Sequence, residues 1–465
     1  MIGRRRISLG RAASRRAFSV LPFAALLNAI TACSGPSYFA DSEDALKTSG
    51  YFHVLDHISA YYPGAVSLNF PGYVVGLEEA PRDLVTAGYE DIRLDQAVAA
   101  NGYTVERLLK SLRYYAPFIS QVMRYEGQPY GEGNCSLYSL YHNHGRAFVN
   151  SCSDEPRNRA PPAYDYSRTY RNSWNAIDIL KERLAADVGS GNYTHLVVAV
   201  MGLDTVQEEA IRNFRSLIST IRRDAGEEFR PLFVGITWPS FFANRWFDPF
   251  WEALAYHPIA DRADILGLGW LGALLNDAIM PLADRIEVSV IAHSFGARAT
   301  SMALCVGPAI LREGEQRVSL DHRGKIENFI GLAPAFSLQR FVDKEFLFYE
   351  NVYYSDYCPR IERFIFTASS HDHAFDPAFW SDAVGDHEYM VSYCNSRHAV
   401  SVNCIAADGD GEVVGYDPSA RITYVDTSEL MKYQMPGTRG GGHADIFRPE
   451  TGRLMWQLID GAPPR

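Results

Sequence analysis

The chain has 465 residues, 47% hydrophobic and 13% aromatic, with a formal net charge of −11. That is enough apolar material for a large core. The acidic balance leaves no basic face to release counterions from phosphates, which argues against a nucleic-acid partner.

In chain order, the first segment is basic and then apolar. Arg4, Arg5, Arg6, Arg11, Arg15 and Arg16 precede a run from Phe18 to Ala32, 15 residues long. That run is too short to span a bilayer and has the length of a signal-peptide core. Ser14-Arg15-Arg16-Ala17-Phe18 resembles a twin-arginine export signal. Ile30-Thr31-Ala32-Cys33 resembles a bacterial lipobox. On this reading residues 1–32 are a signal peptide and Cys33 carries the lipid anchor. Ser34, not Asp, then points to the outer membrane, facing the periplasm. The alternative is an ordinary secretory signal with an incidental cysteine. Removing the leader, which holds six arginines and no acid, takes the net charge from −11 to −17. No later stretch reads as long and apolar enough to cross a membrane.

Residues 33–170 read as an N-terminal extension or cap, with a helix over Val105–Tyr115 and a linker at Asp154–Pro162. His142 and His144 have no third ligand nearby and read as a polar loop. Beyond Cys33 six cysteines remain. An oxidising compartment permits disulfides. Chain proximity pairs Cys135 with Cys152 and Cys394 with Cys404, leaving Cys305 as a buried thiol.

From Ser173 onward strand and helix patterns alternate. A helix over Trp174–Val188 is followed by a strand at His195–Val200, a helix from Thr205 to Arg223 and a strand at Pro231–Thr237. A helix at Arg262–Met280 leads to the apolar run Ile286–Ala292, then Ser294, then a small-residue helix from Gly296 to Cys305. Strands at Lys325–Leu332, Ile361–Thr367 and Arg421–Val425 and a helix at Asp445–Ile459 complete the pattern. Such alternation specifies right-handed crossovers and an α/β fold with a mostly parallel sheet covered on both faces.

Ser294 stands between strand and helix with Ala292 two before it and Gly296 two after, the nucleophile-elbow pattern. A serine hydroxyl needs a base, and the base needs an acid to fix its tautomer. In this fold type the order along the chain is serine, acid, histidine. Asp372 and His443 follow in that order, each in a loop at the carboxyl end of a strand. Asp376 and Asp426 are alternative acids, and His371 with His373 could instead bind a metal. His293 reads as structural, its side chain directed away from the nucleophile. The backbone N–H groups of Leu203 and Phe295 are the expected oxyanion donors. No cofactor and no metal are expected.

Four strings carry a resemblance: Met201-Gly-Leu-Asp204, Ile236-Thr-Trp-Pro-Ser240, Ala292-His-Ser-Phe-Gly-Ala-Arg298 and Thr367-Ala-Ser-Ser-His-Asp372-His-Ala-Phe375. With the terminal His443 they resemble a bacterial α/β-hydrolase family of unknown physiological function, distantly similar to esterases and lipases. The resemblance covers roughly residues 175–460 and implies Ser294 as nucleophile, Asp372 as acid and His443 as base. The family has His and Asn where this chain has Met201 and Asp204. The expectation is therefore an α/β-hydrolase domain over 171–465, with an insertion at 376–420 acting as a lid. Its activity would be that of a serine hydrolase cleaving a small-molecule or lipid acyl ester. The alternative is a non-catalytic, membrane-anchored lipoprotein that uses the fold as a binding or scaffold module.

Overall fold

The computed structural model describes residues 66–79, 93–95, 105–139, 151–152, 169–203, 205, 207–240, 259–313, 324–341, 352–354, 358–374, 382–396, 401–434 and 440–461. The leader with Cys33, His142 and His144, the 154–162 linker, Asp204 and Asp376 lie outside them.

Twelve strands are described: β1 (Pro71–Glu79), β2 (Arg93–Leu94), β3 (Pro117–Glu126), β4 (Cys135–Ser139), β5 (His195–Val200), β6 (Pro231–Thr237), β7 (Glu287–His293), β8 (Ile310–Leu311), β9 (Ile326–Leu332), β10 (Ile361–Ala368), β11 (Asn403–Ala406) and β12 (Ile422–Asp426). Ten of them form one sheet in the order β11-β12-β10-β9-β7-β5-β6-β1-β3-β4, while β2 and β8 pair separately. From β11 to β1 every neighbouring pair is parallel. β3 and β4 close one edge antiparallel.

The helices are α1 (Val105–Tyr115), α2 (Thr169–Gly189), α3 (Gln207–Ala225), α4 (Ile259–Leu282, its later part a π turn at Leu275–Ile279 and a 3₁₀ turn at Met280–Leu282), α5 (Phe295–Cys305), α6 (His387–Cys394) and α7 (Pro449–Asp460). Strand alternation assigns them to two faces. Leu196, Val198 and Val200 of β5 pack with α2, α4 and α5 in one apolar cluster. Val197 and Ala199 pack with α3 and α7 in the other. A sheet buried on both faces has no polar side, which is why β5 and β6 read as nearly continuous apolar runs.

Three expectations differ from this structure. The N-terminal region is not only a cap, because β1, β3 and β4 belong to the main sheet. Pro71, Gly72 and Gly76 in β1 and the buried Ser120 and Gln121 in β3 break the apolar pattern by which a strand is recognised. The insertion divides. Its β11 extends the sheet at the edge remote from β1, whereas Val384 and Gly385 donate N–H bonds to Phe336 O (2.9 Å) and Pro334 O (3.0 Å), in the loop after β9. Finally, α4 is 24 residues long and apolar enough to cross a membrane, contrary to the sequence count, but 89% of its most apolar window is buried inside the protein. It is a core helix.

The cysteines join as Cys135–Cys152, Cys394–Cys404 and Cys305–Cys358. Cys305 is therefore not a free thiol. Its partner lies 53 residues on, beyond the reach of chain-proximity reasoning, and meets it only because α5 packs beside the entry to β10. Removing a cross-link over a loop of that length costs roughly 2–4 kcal/mol. Replacing Cys305 and Cys358 together by Ala should lower the urea midpoint accordingly, and non-reducing peptide mapping of the wild type should recover the two cysteines in one linked fragment.

Candidate active site

The chain runs from β5 outward to β6, then returns to the other side of β5 as β7 and continues outward through β9, β10 and β12. The sheet order thus reverses between β5 and β7. In open α/β sheets a crevice forms at the carboxyl ends of such strands, because the connections leave in opposite directions. Ser294 follows β7, and Met201-Gly202-Leu203 follows β5.

Ser294 has φ 53° and ψ −125°, a backbone region that residues with a side chain rarely occupy. The surroundings hold it there. Its N–H donates to Leu332 O at 2.9 Å, and its C=O accepts from Ala297 N (3.0 Å) and Ala335 N (3.2 Å). The crossing of β5 and α5 is so close that a Cβ at Gly296 would lie 2.4 Å from Met201 O, and one at Gly202 would lie 2.7 Å from Ser294 Cβ. Only glycine fits at either place. Ser294 is 5% exposed.

Asp372 and His443 come from loops after β10 and β12. His443 Nδ1 lies 2.7 Å from Asp372 Oδ2, and Asp372 Oδ1 accepts the Ala374 N–H at 2.9 Å. A carboxylate only accepts, so Nδ1 carries the proton and Nε2 keeps its lone pair. The side chains are 2% and 13% exposed, so little water competes for the bond. The two loops are joined by backbone bonds, Gly442 N–H to His371 O (2.6 Å) and His373 N–H to Gly440 O (3.0 Å). Gly441 has φ 63°, and a Cβ there would sit 2.3 Å from His371 O, which accounts for the glycine run before His443. Behind it the buried Asp445 carboxylate accepts the N–H groups of Lys432 (2.9 Å) and Tyr433 (3.0 Å), holding the path from β12.

The alternative acid Asp426 is engaged elsewhere. It receives the Ser428 hydroxyl (2.6 Å) and N–H (2.9 Å), and His387 Nε2 lies 3.1 Å away. Burial alone would raise its carboxyl, but these bonds outweigh it and hold Asp426 below its usual range. Among the described residues, no three His, Cys, Asp or Glu are grouped to hold a metal ion.

His293 departs from expectation. Its ring is tilted against that of His443, centroids 4.7 Å apart, and its Nε2 lies 2.9 Å from the His443 carbonyl oxygen. Burial, then the adjacent His443 ring, depress its pKa to about 3, against a smaller opposing effect of the carbonyl bond. Sequence reasoning turned this side chain away because the neighbour of an elbow serine in a flat strand would face the other side. The loop arriving from β12 carries His443 to that other side. Met201 is also clarified: its side chain is buried in the α3–α7 cluster, and its carbonyl accepts Trp238 Nε1–H at 2.8 Å. Leu203 is half-buried in the turn after Gly202, and Phe295 is the first residue of α5.

No family model and no curated protein matches this chain.

Two outcomes follow from this geometry. Gly202→Ala should leave a folded protein whose Ser294 reacts with serine-directed probes roughly 10²-fold more slowly, since about 1 Å of misplacement has that effect. His293 is kept neutral in the fold but titrates near 6.5 when unfolded, so the unfolded chain binds the extra proton as pH falls from about 6.5 toward 3. Stability from this group is complete above 6.5 and lost on acidification. Melting temperatures from pH 7.5 to 4 should fall less steeply in His293→Gln than in the wild type.

Proposed function

We propose that this chain is a serine hydrolase with an α/β-hydrolase fold, cleaving an acyl ester through Ser294, His443 and Asp372. The observations that carry the reading are the 2.7 Å His443–Asp372 pair and a serine held at φ 53° on a strand–helix turn, whose chain neighbour His293 contacts the His443 carbonyl. A structural serine gives no reason for such backbone strain, and a surface histidine gives no reason for a buried carboxylate on its Nδ1.

In this reading Ser294 Oγ attacks the acyl carbonyl while His443 Nε2 takes its proton. The Asp372 carboxylate stabilises the imidazolium without accepting that proton. The N–H groups of Phe295 and Leu203 bear the charge developing on the carbonyl oxygen, a role that needs backbone and no particular side chain. His443 then protonates the departing alcohol, and a water activated by the same nitrogen releases the acid from the acyl-enzyme. The departure from the resembled family at Met201 does not oppose this, because the Met201 side chain packs below the sheet. The rival reading, a non-catalytic module, loses its main support with it.

The three disulfides fit a protein that matures outside the reducing cytoplasm. We extend this to export by the twin-arginine-like leader and anchoring through Cys33 in the cell envelope.

The experiment is labelling of the purified mature protein with a fluorophosphonate, which reacts only with an activated serine. The wild type should label once and Ser294→Ala not at all. His443→Ala and Asp372→Asn should label roughly 10³–10⁴-fold more slowly. Asp426→Asn should stay near the wild-type rate. A folded but unlabelled wild type would refute the hydrolase.

A further inference from the structure

We infer that His293 is a positioning residue for the general base, anchoring the His443 backbone through its own ring Nε2–H. This rests on the hydrolase reading of the site. His443 stands on a single 3₁₀ turn, Gly442–Ala444, that follows two glycines of positive φ. Glycine-rich chain of this kind is costly to order and easily reoriented. The Asp372 bond fixes one ring atom only. Where the imidazole stands also depends on how the turn that carries it is placed.

His293 helps to place that turn. It ends β7, where it pairs in register with Leu332 of β9, so it moves with the sheet and not with the loops. The His443 carbonyl can only accept, so His293 must donate from Nε2 across the 2.9 Å contact. Its Nδ1 then faces Gly202, where a Cβ would lie 3.1 Å away. One side chain thus spans from the loop after β5 to the loop of the base. His443 is held by its ring through Asp372 and by its carbonyl through His293, besides the bond of its own N–H to Gly440 O (3.2 Å). The tilted stacking of the two rings adds a further restraint. Because burial keeps His293 uncharged, the imidazolium formed on His443 during proton transfer meets no like charge beside it.

The test uses the full mature chain, with fluorophosphonate labelling rate, kcat and KM for a p-nitrophenyl ester, and melting temperature measured together. His293→Leu should lower the labelling rate and kcat by roughly 10–100-fold with KM little changed, because the contact is to the base and not to substrate. His293→Gln keeps an amide donor at the reach of Nε2 and should recover most of that loss. His293→Asn is one bond too short and should not. The Gln-to-Asn comparison decides the matter even if the Leu variant fails to fold. Wild-type labelling in folded His293→Leu, or equal loss in the Gln and Asn variants, would overturn the positioning role while leaving the hydrolase intact. An unlabelled, folded wild type would overturn both.

Discussion

The closeness with which α5 crosses the end of β5 is the constraint on which the site depends. With 2.4 Å between a would-be Gly296 Cβ and Met201 O, the chain cannot leave β7 by an ordinary turn. Ser294 takes the strain, and the bonds from Leu332, Ala297 and Ala335 keep it there. Strain of this kind costs about 1–3 kcal/mol and survives only where neighbours over-determine it. Here the neighbours are the end of β9, the first turn of α5 and the loop after β9. The same crossing brings Gly202 against Ser294, so candidate nucleophile and candidate oxyanion loop are set by one packing event.

The loops after β10 and β12 are tied to that centre by polar contacts. Asp372 is pinned by the Ala374 N–H, Gly440–Gly442 run against His371 and His373, and Asp445 secures the chain from β12. Each buried carboxylate receives N–H or imidazole donors, which is what burying such charges requires. Asp264 does the same one layer away. Arg298 of α5 makes two bonds to it, of 2.9 and 2.8 Å, and Arg340, which hydrogen-bonds Tyr354, approaches it at 3.4 Å. Arg298 also reaches Ala335 O at 3.4 Å, so α5 and the loop after β9 are locked as a unit.

The disposition of the insertion follows from the same economy. A segment lacking its own core must pair with something, and this one does so twice. Its middle docks on the loop that bonds the Ser294 carbonyl, and its β11 satisfies the outer edge of β12. His387 and Asp426 tie α6 to the end of β12. β12 is thereby an inner strand, and the sheet ends instead at β11, a strand of only four residues.

The sequence by itself determined the central parallel strands, the helices between them, the elbow at Ser294 and the order of serine, acid and histidine. These are legible because each rests on local signals: β-branched apolar runs, small residues flanking a serine, glycines before a histidine. Six of the twelve described strands, β1, β2, β3, β4, β8 and β11, were not legible: glycine and buried polar residues within β1 and β3 obey their sheet neighbours and not a period, and the other four have two to five residues, too few to show one. Only the tertiary structure decided which carboxylate meets His443, because Asp426 at the end of β12 and Asp372 in the loop after β10 both stand at carboxyl ends of strands. It alone joined Cys305 to Cys358 across 53 residues. It alone set His293 against His443, a contact between residues 150 apart in the chain. Local sequence carries propensity and pattern; contacts of that range exist only once the sheet has brought its strand ends together.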